Sequence, residues 1–282
     1  MGEGWHERAG GPHAEVAALE VAGEQARDAT LYVTLEPCRS VGQTPPCTAA
    51  VLAAGIAKVV AASLDPNPQA GGGLEELCAA GVEVELAEGD VATLARRQNE
   101  AWRTWIAAGR PFVTYKAAIS LDGRVTMPGS RWVSGEGSRR RVHELRAASD
   151  AVAVGMGAVR ADNPRLDARD VDADRQPRRL AFGKGPLPED SELELLSGPL
   201  EEELGRLGKE GVQSLLLEGG PTIATAYLRA DLVDKLLLFV APRLSGAGPH
   251  FLGDLDQPVE LHGLRSELIG EDLLVSGYIH KP

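Results

Sequence analysis

The chain has 282 residues, 43% of them hydrophobic, a length that allows two domains and a composition typical of globular proteins. Its formal net charge of −12 disfavours DNA or RNA as a partner, since nucleic-acid binding needs a basic surface, and favours a small-molecule substrate. It contains no apolar run of about 18 residues and no basic-then-apolar leader, so neither a membrane partner nor a secretory signal is expected. Three cysteines argue against a disulfide framework and predict a reducing, cytoplasmic compartment.

The first part of the chain alternates helix and strand patterns. Ala, Leu and Glu at helical spacing predict a helix over 14–27, ended by Gly23 or Asp28. The elements predicted after it are a strand at 30–35, a helix at 47–54 closed by Gly55, a strand at 58–62, a helix at 74–80 and a strand at 82–86. This alternation predicts a parallel sheet with helices on its faces.

Four residues with metal-site chemistry fall at the ends of these elements. Zn²⁺ in a catalytic site takes three protein ligands and a water, and His13, Cys38 and Cys47 can supply the three. Glu15 is close enough to His13 in sequence to face the same water and shuttle protons. The ordered set H-A-E, P-C and C predicts a zinc-dependent hydrolytic deaminase. The alternative is that all four are ordinary structural residues.

The region that follows contains an expected boundary between two domains. Cys78 lies in a helical pattern without a ligand partner nearby, so it is expected in the core. A single helix is predicted over 91–108, ending at Gly109, and Pro111 prevents its continuation. We therefore expect one domain at 1–108 and a second at 112–282.

The second half begins again with a predicted strand at 112–118. A further strand at 152–154 runs into glycines, and 165–190 is predicted as loops around one short strand. The strand 215–217 leads through Gly219 and Gly220 into a helix at 222–229, an arrangement that can hold a phosphate at the helix N-terminus. A tight structural turn is the alternative interpretation.

Short motifs occur in order along nearly the whole chain. In the first half they are GWH at 4–6, HAE at 13–15, TLEPC at 34–38, GQTPPC at 42–47 and DPNP at 65–68. In the second half they are KAAISLDG at 116–123, GSRW at 129–132, ADNP at 161–164 and EGGP at 218–221. With these motifs the chain resembles the bifunctional riboflavin-biosynthesis deaminase-reductase family. The resemblance implies a cytidine-deaminase-like three-layer α/β domain followed by a dihydrofolate-reductase-like α/β domain.

The resemblance also implies a reaction sequence and residue roles. A phosphoribosylated diaminopyrimidinone would be deaminated with Zn²⁺ on His13, Cys38 and Cys47 and Glu15 as proton shuttle, and its ribosyl group would then be reduced by NADPH. Substrate contacts are implied for His6, Lys116, Asp122, Ser130, Arg146, Leu166, Arg169 and Glu218. Cofactor contacts are implied for Ile119, Trp132, Ala158, Asp162, Gly219, Gly220, Pro221, Thr222, Ile223, Ala224, Thr225 and Ala226. Arg146 and Arg169 suit a phosphate as planar forks, and Trp132 suits stacking on nicotinamide.

Departures from the family pattern leave alternatives open. The family normally has a helix and a strand before Gly4-Trp5-His6, so a substrate-binding wall is expected to be missing and the exposed sheet edge invites pairing of two copies. Ser40 and Ala158 stand where histidine and threonine are usual. The alternatives to a two-step enzyme are a reductase with an inactive deaminase domain and a non-catalytic zinc-stabilised scaffold.

Overall fold

A computed structural model describes residues 1–8, 10–42 and 44–281. The chain divides into two compact units, Met1–Ala107 and Ala108–Lys281. Within the described residues, no helix combines the length and the apolar character that crossing a bilayer requires.

The first unit is built on a three-stranded parallel sheet. Its strands, which lie side by side in chain order, are β1 (Thr30–Val33), β2 (Lys58–Ala61) and β3 (Glu83–Leu86). Its helices are α1 (Ala14–Ala22), α2 (Cys47–Ala54), α3 (Gly73–Ala79), α4 (Gly89–Gln98) and α5 (Glu100–Ala108). The core between sheet and helices includes Val51, Val59 and Leu77, all fully buried. The predicted parallel α/β arrangement is confirmed.

Helix ends in this unit follow local backbone chemistry. As predicted, α2 ends at Gly55, which takes the left-handed conformation at φ +70° and donates its N–H to the last turn. Helix α1 ends at Ala22, earlier than 27, and a 3-10 turn over Gly23–Ala26 follows it. The prediction of one helix over 91–108 is wrong, because Asn99, a residue that favours helix ends, leaves the helical conformation between α4 and α5.

The prediction that Cys78 belongs to the core is also wrong. Helix α3 has seven residues, of which Gly73, Leu74 and Leu77 are buried, while Cys78 is exposed. One residue beyond Leu77 is a rotation of about 100° around the helix, which takes the thiol off the buried face. An apolar helix pattern identified the helix but not which of its residues face inward.

The second unit is built on an eight-stranded mixed sheet. Its strands are β4 (Phe112–Ser120), β5 (Ala151–Gly155), β6 (Arg178–Phe182), β7 (Glu194–Leu196), β8 (Ser214–Leu217), β9 (Lys235–Ala241), β10 (His262–Ile269) and β11 (Asp272–Tyr278). They lie in the order β10-β11-β9-β4-β8-β5-β6-β7, parallel from β9 to β7 and antiparallel at the β10–β11 end. Its helices are α6 (Glu136–Ala148), α7 (Met156–Asp162), α8 (Leu200–Lys209) and α9 (Pro221–Arg229).

The central strands of this sheet carry few polar residues because helices cover both of its faces. All five residues of β5 are buried, as expected for a strand inside a covered parallel sheet. Leu217 at the end of β8 lies opposite Tyr115 on one side and Ala153 on the other. This register places Lys116, Glu218 and Gly155 at the carboxyl edge of the strands, where parallel sheets bind ligands.

Candidate metal centre and reductase site

The three predicted metal ligands meet at the starts of α1 and α2. His13 precedes α1, Cys38 lies in the loop after β1, and Cys47 is the first residue of α2. Nδ1 of His13 lies 3.2 Å from Sγ of Cys47 and 3.5 Å from Sγ of Cys38. Zinc bonds of about 2.0–2.1 Å to nitrogen and about 2.3 Å to sulfur, at tetrahedral angles, separate N and S by about 3.5 Å. Both N–S distances are therefore close to the spacing that zinc ligation requires.

The orientation of the His13 ring is set by a residue to which the sequence analysis gave no role. Oγ1 of Thr44 lies 3.3 Å from Nε2 of His13. With its proton on Nε2, His13 donates to Thr44 and turns the lone pair of Nδ1 toward the two sulfur atoms. His6, a predicted substrate residue, packs edge-on against His13 with 5.4 Å between the ring centroids. His6 thus adjoins the metal cluster.

The two thiols of the cluster are electrostatically unequal. The side-chain hydrogen bond from Cys47, opposed by partial burial, lowers the pKa of Cys38. The same hydrogen bond, together with burial, raises the pKa of Cys47. The backbone N–H of Cys47 also donates to Sγ of Cys38 over 3.4 Å. Since the thiolate is the form that binds a metal, Cys38 is prepared as a ligand.

Glu15 lies in the first turn of α1 beside this cluster and is 8% exposed. Burial raises the pKa of Glu15, and a backbone hydrogen bond and the nearby His13 only partly oppose that rise. A raised pKa lets a carboxyl group keep its proton at a higher pH than usual, and a positioned carboxyl group can serve as a proton carrier. Glu15 also hydrogen-bonds Cys47, so its carboxyl group faces the metal ligands.

In the second unit, three predicted substrate residues form one ion cluster at the carboxyl edge of the sheet. Nε and Nη2 of Arg146 in α6 donate to the two carboxylate oxygens of Glu218 over 2.6 and 3.0 Å. Nζ of Lys116 in β4 lies 3.4 Å from Oε2 of Glu218. All three side chains are nearly buried, at 13% exposure or less. Burial by itself raises the pKa of Glu218, but the charges of Lys116 and Arg146 outweigh it and lower that pKa to about 2.

Arg146 and Arg169, the predicted phosphate ligands, are brought together through Asp167. Nη1 of Arg146 donates to the backbone oxygen of Asp167 over 3.1 Å, and Arg169 pairs with the Asp167 carboxylate. Every guanidinium nitrogen of Arg146 therefore has an acceptor within the protein, whereas the Arg169 side chain is 46% exposed. Of the two, Arg169 is the more accessible to a ligand.

The other predicted substrate residues differ in how open they are. The carboxylate of Asp122 accepts from Oγ of Ser120 and from the N–H groups of Ser245 and Gly246 over 2.6–2.9 Å, which lowers its pKa and ties the end of β4 to a neighbouring loop. Leu166 has a left-handed backbone at φ +55°, unusual for leucine, and its side chain is buried in the core. Ser130 is exposed, with Oγ bonded to the backbone of Trp132.

The predicted cofactor residues line the same edge unevenly. Trp132 is 45% exposed between the guanidinium groups of Arg131 and Arg139, and Asp162 is exposed at the end of α7, whereas Ile119 is buried and Ala158 partly buried. A methyl group at Gly219 would lie 2.0 Å from Cγ2 of Ile223, so this glycine permits close strand–helix packing. The other predicted cofactor residues between 220 and 226 differ in exposure. Two are buried, Ala224 and Thr225, and the others are partly or fully exposed: Gly220, Pro221, Thr222, Ile223 and Ala226.

The start of α9 fits a phosphate. A methyl group at Gly220 would meet no atom within 4 Å, so the space beside it is open. The first N–H groups of this nine-residue helix lack intrahelical acceptors, and the helix dipole favours an anion there. Gly220 and Thr222 can therefore present backbone donors to the phosphate groups of NADPH.

Comparisons with known proteins identify the family of each unit. Residues 1–63 match the family described as the cytidine and deoxycytidylate deaminase zinc-binding region, and residues 111–275 match the RibD C-terminal domain. The predicted fold class, a cytidine-deaminase-like domain followed by a dihydrofolate-reductase-like domain, is confirmed, and so are the predicted cofactors Zn²⁺ and NADPH.

Similar proteins cover almost the whole chain. The riboflavin biosynthesis protein RibD of Aquifex aeolicus is 38% identical over 314 residues, which span 98% of this chain and 87% of the relative. The solved structure of Acinetobacter baumannii RibD superposes with a TM-score of 0.84 at 35% identity, covering 99% of this chain and 88% of that one. A Thermotoga maritima crystal structure, a diaminohydroxyphosphoribosylaminopyrimidine deaminase/5-amino-6-(5-phosphoribosylamino)uracil reductase, gives 0.82 at 32% identity, with 99% and 88% covered.

These matches decide between the functional alternatives. They favour neither a reductase with an inactive deaminase domain nor a zinc-stabilised scaffold, and the predicted two-activity enzyme is confirmed. The chain belongs to the bifunctional RibD family of riboflavin biosynthesis, enzymes with a zinc-dependent deaminase and an NADPH-dependent reductase in one polypeptide.

Proposed function

We propose that residues 1–108 deaminate a phosphoribosylated diaminopyrimidinone and that residues 112–282 then reduce the ribosyl group of the resulting aminouracil. The description of the Thermotoga maritima relative names this pair of reactions. The observation that carries the proposal is the cluster of the His13, Cys38 and Cys47 ligand atoms, all within 4.8 Å of one another, with the buried carboxyl group of Glu15 in the first turn of the adjoining helix.

In the deaminase half, His13, Cys38 and Cys47 hold the metal, and zinc supplies an activated water when bound. Glu15 holds a proton that it passes to the departing amine, and burial, which raises its pKa, favours the protonated form. His6, which packs edge-on against His13, contacts the substrate at the rim of the cluster. Thr44 keeps His13 in the tautomer whose Nδ1 faces the metal.

In the reductase half, NADPH supplies a hydride when bound, and the protein aligns cofactor and substrate. Glu218 stays ionised and, with Lys116, borders the substrate. Arg169 grips the substrate phosphate, and Arg146 adds positive charge at the same place through the shared Asp167. Asp122 fixes the end of β4, Leu166 contributes its backbone, and Ser130 contributes its hydroxyl group.

The cofactor lies along α7 and the start of α9 in this proposal. Trp132, half exposed, stacks on the nicotinamide, and the open first turn of α9 holds phosphate. Ile119, Ala158 and Asp162 complete the cofactor contacts.

We place the enzyme in the cytoplasm, and we propose that two or more copies associate. Three cysteines without a disulfide suit a reducing compartment. The edge strand β1 exposes Tyr32 at 75%, and an exposed strand edge favours pairing between copies.

The test uses the full chain loaded with zinc. Purified protein is given the phosphoribosylated diaminopyrimidinone and NADPH, and ammonia release and loss of NADPH absorbance are followed together. We expect one equivalent of each per substrate, and Cys38→Ser should lose zinc and ammonia release but not NADPH oxidation on the deaminated substrate. Ammonia release that persists in zinc-free Cys38→Ser would contradict the proposed metal centre.

A further inference from the structure

The loop that carries Cys38 has no regular secondary structure of its own. Residues 34–40 lie between the end of β1 and the chain that leads to α2, and Pro37, which has no N–H to donate, directly precedes the cysteine. A metal ligand on such a loop is held in place by contacts with other segments of the chain, since the loop forms no helix or strand of its own.

The strongest of these contacts are made by the carboxylate of Glu36, which has no role in the proposed chemistry. Glu36 is 5% exposed and accepts three backbone N–H groups from two other segments. Its Oε1 accepts from Gly72 over 3.2 Å and from Leu74 over 3.0 Å, and its Oε2 accepts from Asp65 over 3.1 Å. One buried side chain therefore ties the Cys38 loop both to the first turn of α3 and to the loop after β2.

The same attachment is reinforced by close packing at Pro37. A methyl group added to Gly73 would lie 1.8 Å from the Pro37 carbonyl oxygen, so the backbone of α3 rests directly on the residue before Cys38. The N–H of Arg39, the residue after Cys38, donates to the Ala70 oxygen over 3.1 Å. Cys38 is thus held from both sides by the segment that Glu36 anchors.

The opposite side of Cys38 is fixed by α2. The N–H of Thr48 donates to the Cys38 carbonyl oxygen over 3.2 Å, and the N–H of Cys47 donates to the Cys38 sulfur. Cys38 consequently lies between two helix starts, that of α2, which supplies the second sulfur, and that of α3, which is set by Glu36. The N–H of Glu36 also donates to the Ser63 oxygen over 2.8 Å, which anchors the start of the loop. If the α3 contact is loosened, the α2 contact and this bond remain, and neither holds Cys38 on its α3 side.

We propose that Glu36 is a positioning residue of the metal centre, which holds the Cys38 sulfur at its ligand position by binding the backbone of Asp65, Gly72 and Leu74. The inference rests on the metal ligation proposed above. Residues that support metal ligands typically change metal affinity by about 10- to 100-fold when they are replaced. A carboxylate is required because both oxygens accept, whereas an amide would turn its N–H₂ toward one of these donors.

The experiment measures zinc retention in full-length holoenzyme. Zinc transfer to an excess of a chromogenic chelator is timed well below the unfolding temperature for the parent, Glu36→Gln and Glu36→Asp. We expect Glu36→Gln to release zinc about tenfold faster than the parent, and Glu36→Asp, which keeps both acceptor oxygens on a shorter stem, to fall between them. With Co²⁺ in place of zinc, the thiolate-to-cobalt absorption of Glu36→Gln should weaken, because one sulfur is no longer held at bonding distance.

Val59→Ala is the matched control for a general loss of stability. Val59 is fully buried in β2, and its truncation opens the core without touching a hydrogen bond of the loop. Val59→Ala should lower the melting temperature yet keep the parent rate of zinc release and the parent cobalt spectrum. If Glu36→Gln does not fold, zinc release and the cobalt spectrum of Glu36→Asp are compared with those of Val59→Ala, and a difference supports the positioning role of Glu36.

Equal zinc release and equal cobalt spectra in the Glu36 variants and Val59→Ala would overturn the inference. They would mean that Glu36 only caps the start of α3 and does not position the metal ligand. A parent chain that fails to hold zinc would overturn the proposed ligation instead, and the role of Glu36 with it.

Discussion

Glu15 in the first unit and Glu218 in the second are both buried glutamates at a ligand-binding edge, yet their pKa values move in opposite directions. Around Glu15 no cation outweighs the cost of burial, so the pKa of Glu15 rises. Around Glu218 the charges of Lys116 and Arg146 outweigh the same cost, and the pKa of Glu218 falls to about 2. Both carboxyl groups are buried, so the charged groups around each one determine whether its pKa rises or falls.

The difference matches two kinds of chemistry. A carboxyl group that exchanges a proton must change its charge during the reaction, which the surroundings of Glu15 permit. A carboxylate that orients a substrate must keep its charge, which the ion cluster around Glu218 ensures. Each of the following predictions tests one side of this comparison.

The largest expected effect is at Glu15. Glu15→Gln removes the proton carrier but keeps the size of the side chain, so ammonia release should fall by about 10²- to 10⁴-fold while zinc content and reductase activity stay at parent level. Ammonia assays and metal analysis on the same preparation measure both. Retained deaminase activity would show that another group carries the proton.

The second effect concerns the stability of the reductase unit. Arg146→Met leaves Glu218 with Lys116 as its remaining cation, and breaking a buried pair in this way should cost about 3–5 kcal/mol of unfolding free energy. Arg141→Met, which breaks the exposed pair with Glu144 on the same helix, should cost about 1 kcal/mol or less. Urea unfolding of the two variants makes the comparison, and equal losses would mean that the Glu218 cluster is not buried in solution.

The third effect is a pH dependence. The pKa of Glu218 is lowered from its ordinary value of 4.5 to about 2, so its ionised form adds stability that is fully present above pH 4.5 and is lost as the pH falls toward 2. Glu218→Gln should lack this acid-dependent loss. The melting temperatures of the parent and the variant should therefore differ most at neutral pH and less between pH 4.5 and pH 2. A difference that stays constant with pH would contradict the lowered pKa of Glu218.

The smallest effect is at Arg169. Arg169→Ala removes a proposed phosphate contact, so it should raise the KM for the phosphorylated aminouracil about tenfold and leave the KM for NADPH unchanged. Arg140→Ala, a change at a 73% exposed arginine, is the matched control and should change neither. Equal rises in both KM values would remove Arg169 from the substrate site.

The sequence was sufficient to predict the structure where local patterns determine it. Helix α2, with Cys47 at its start and Gly55 after its end, follows from residues within one short segment. The same holds for the order of strands and helices around Cys38 and for the strand that leads into Gly219 and Gly220.

The sequence was insufficient where contacts between distant segments determine the structure. Arg146 and Glu218 are 72 positions apart, so their pairing, which occupies the Arg146 guanidinium group, was not visible from the sequence around either residue. Glu36 stands within the TLEPC motif, but its three partners lie 29 to 38 positions away. Cys78 was misplaced because helical periodicity does not show which face of a short helix meets the sheet.

The ion cluster at the carboxyl edge also has a consequence for the approach of substrate. Two cations share one carboxylate there, so Lys116, Arg146 and Glu218 together keep one net positive charge in a chain whose formal charge is −12. At physiological ionic strength, salt screens charge interactions beyond about 8 Å. A phosphorylated substrate farther away is therefore neither repelled by the overall negative charge nor attracted by the positive charge of the cluster. Within that range the substrate meets a local positive potential, so attraction acts only in the last step of the encounter, and raising the salt concentration should slow capture only weakly.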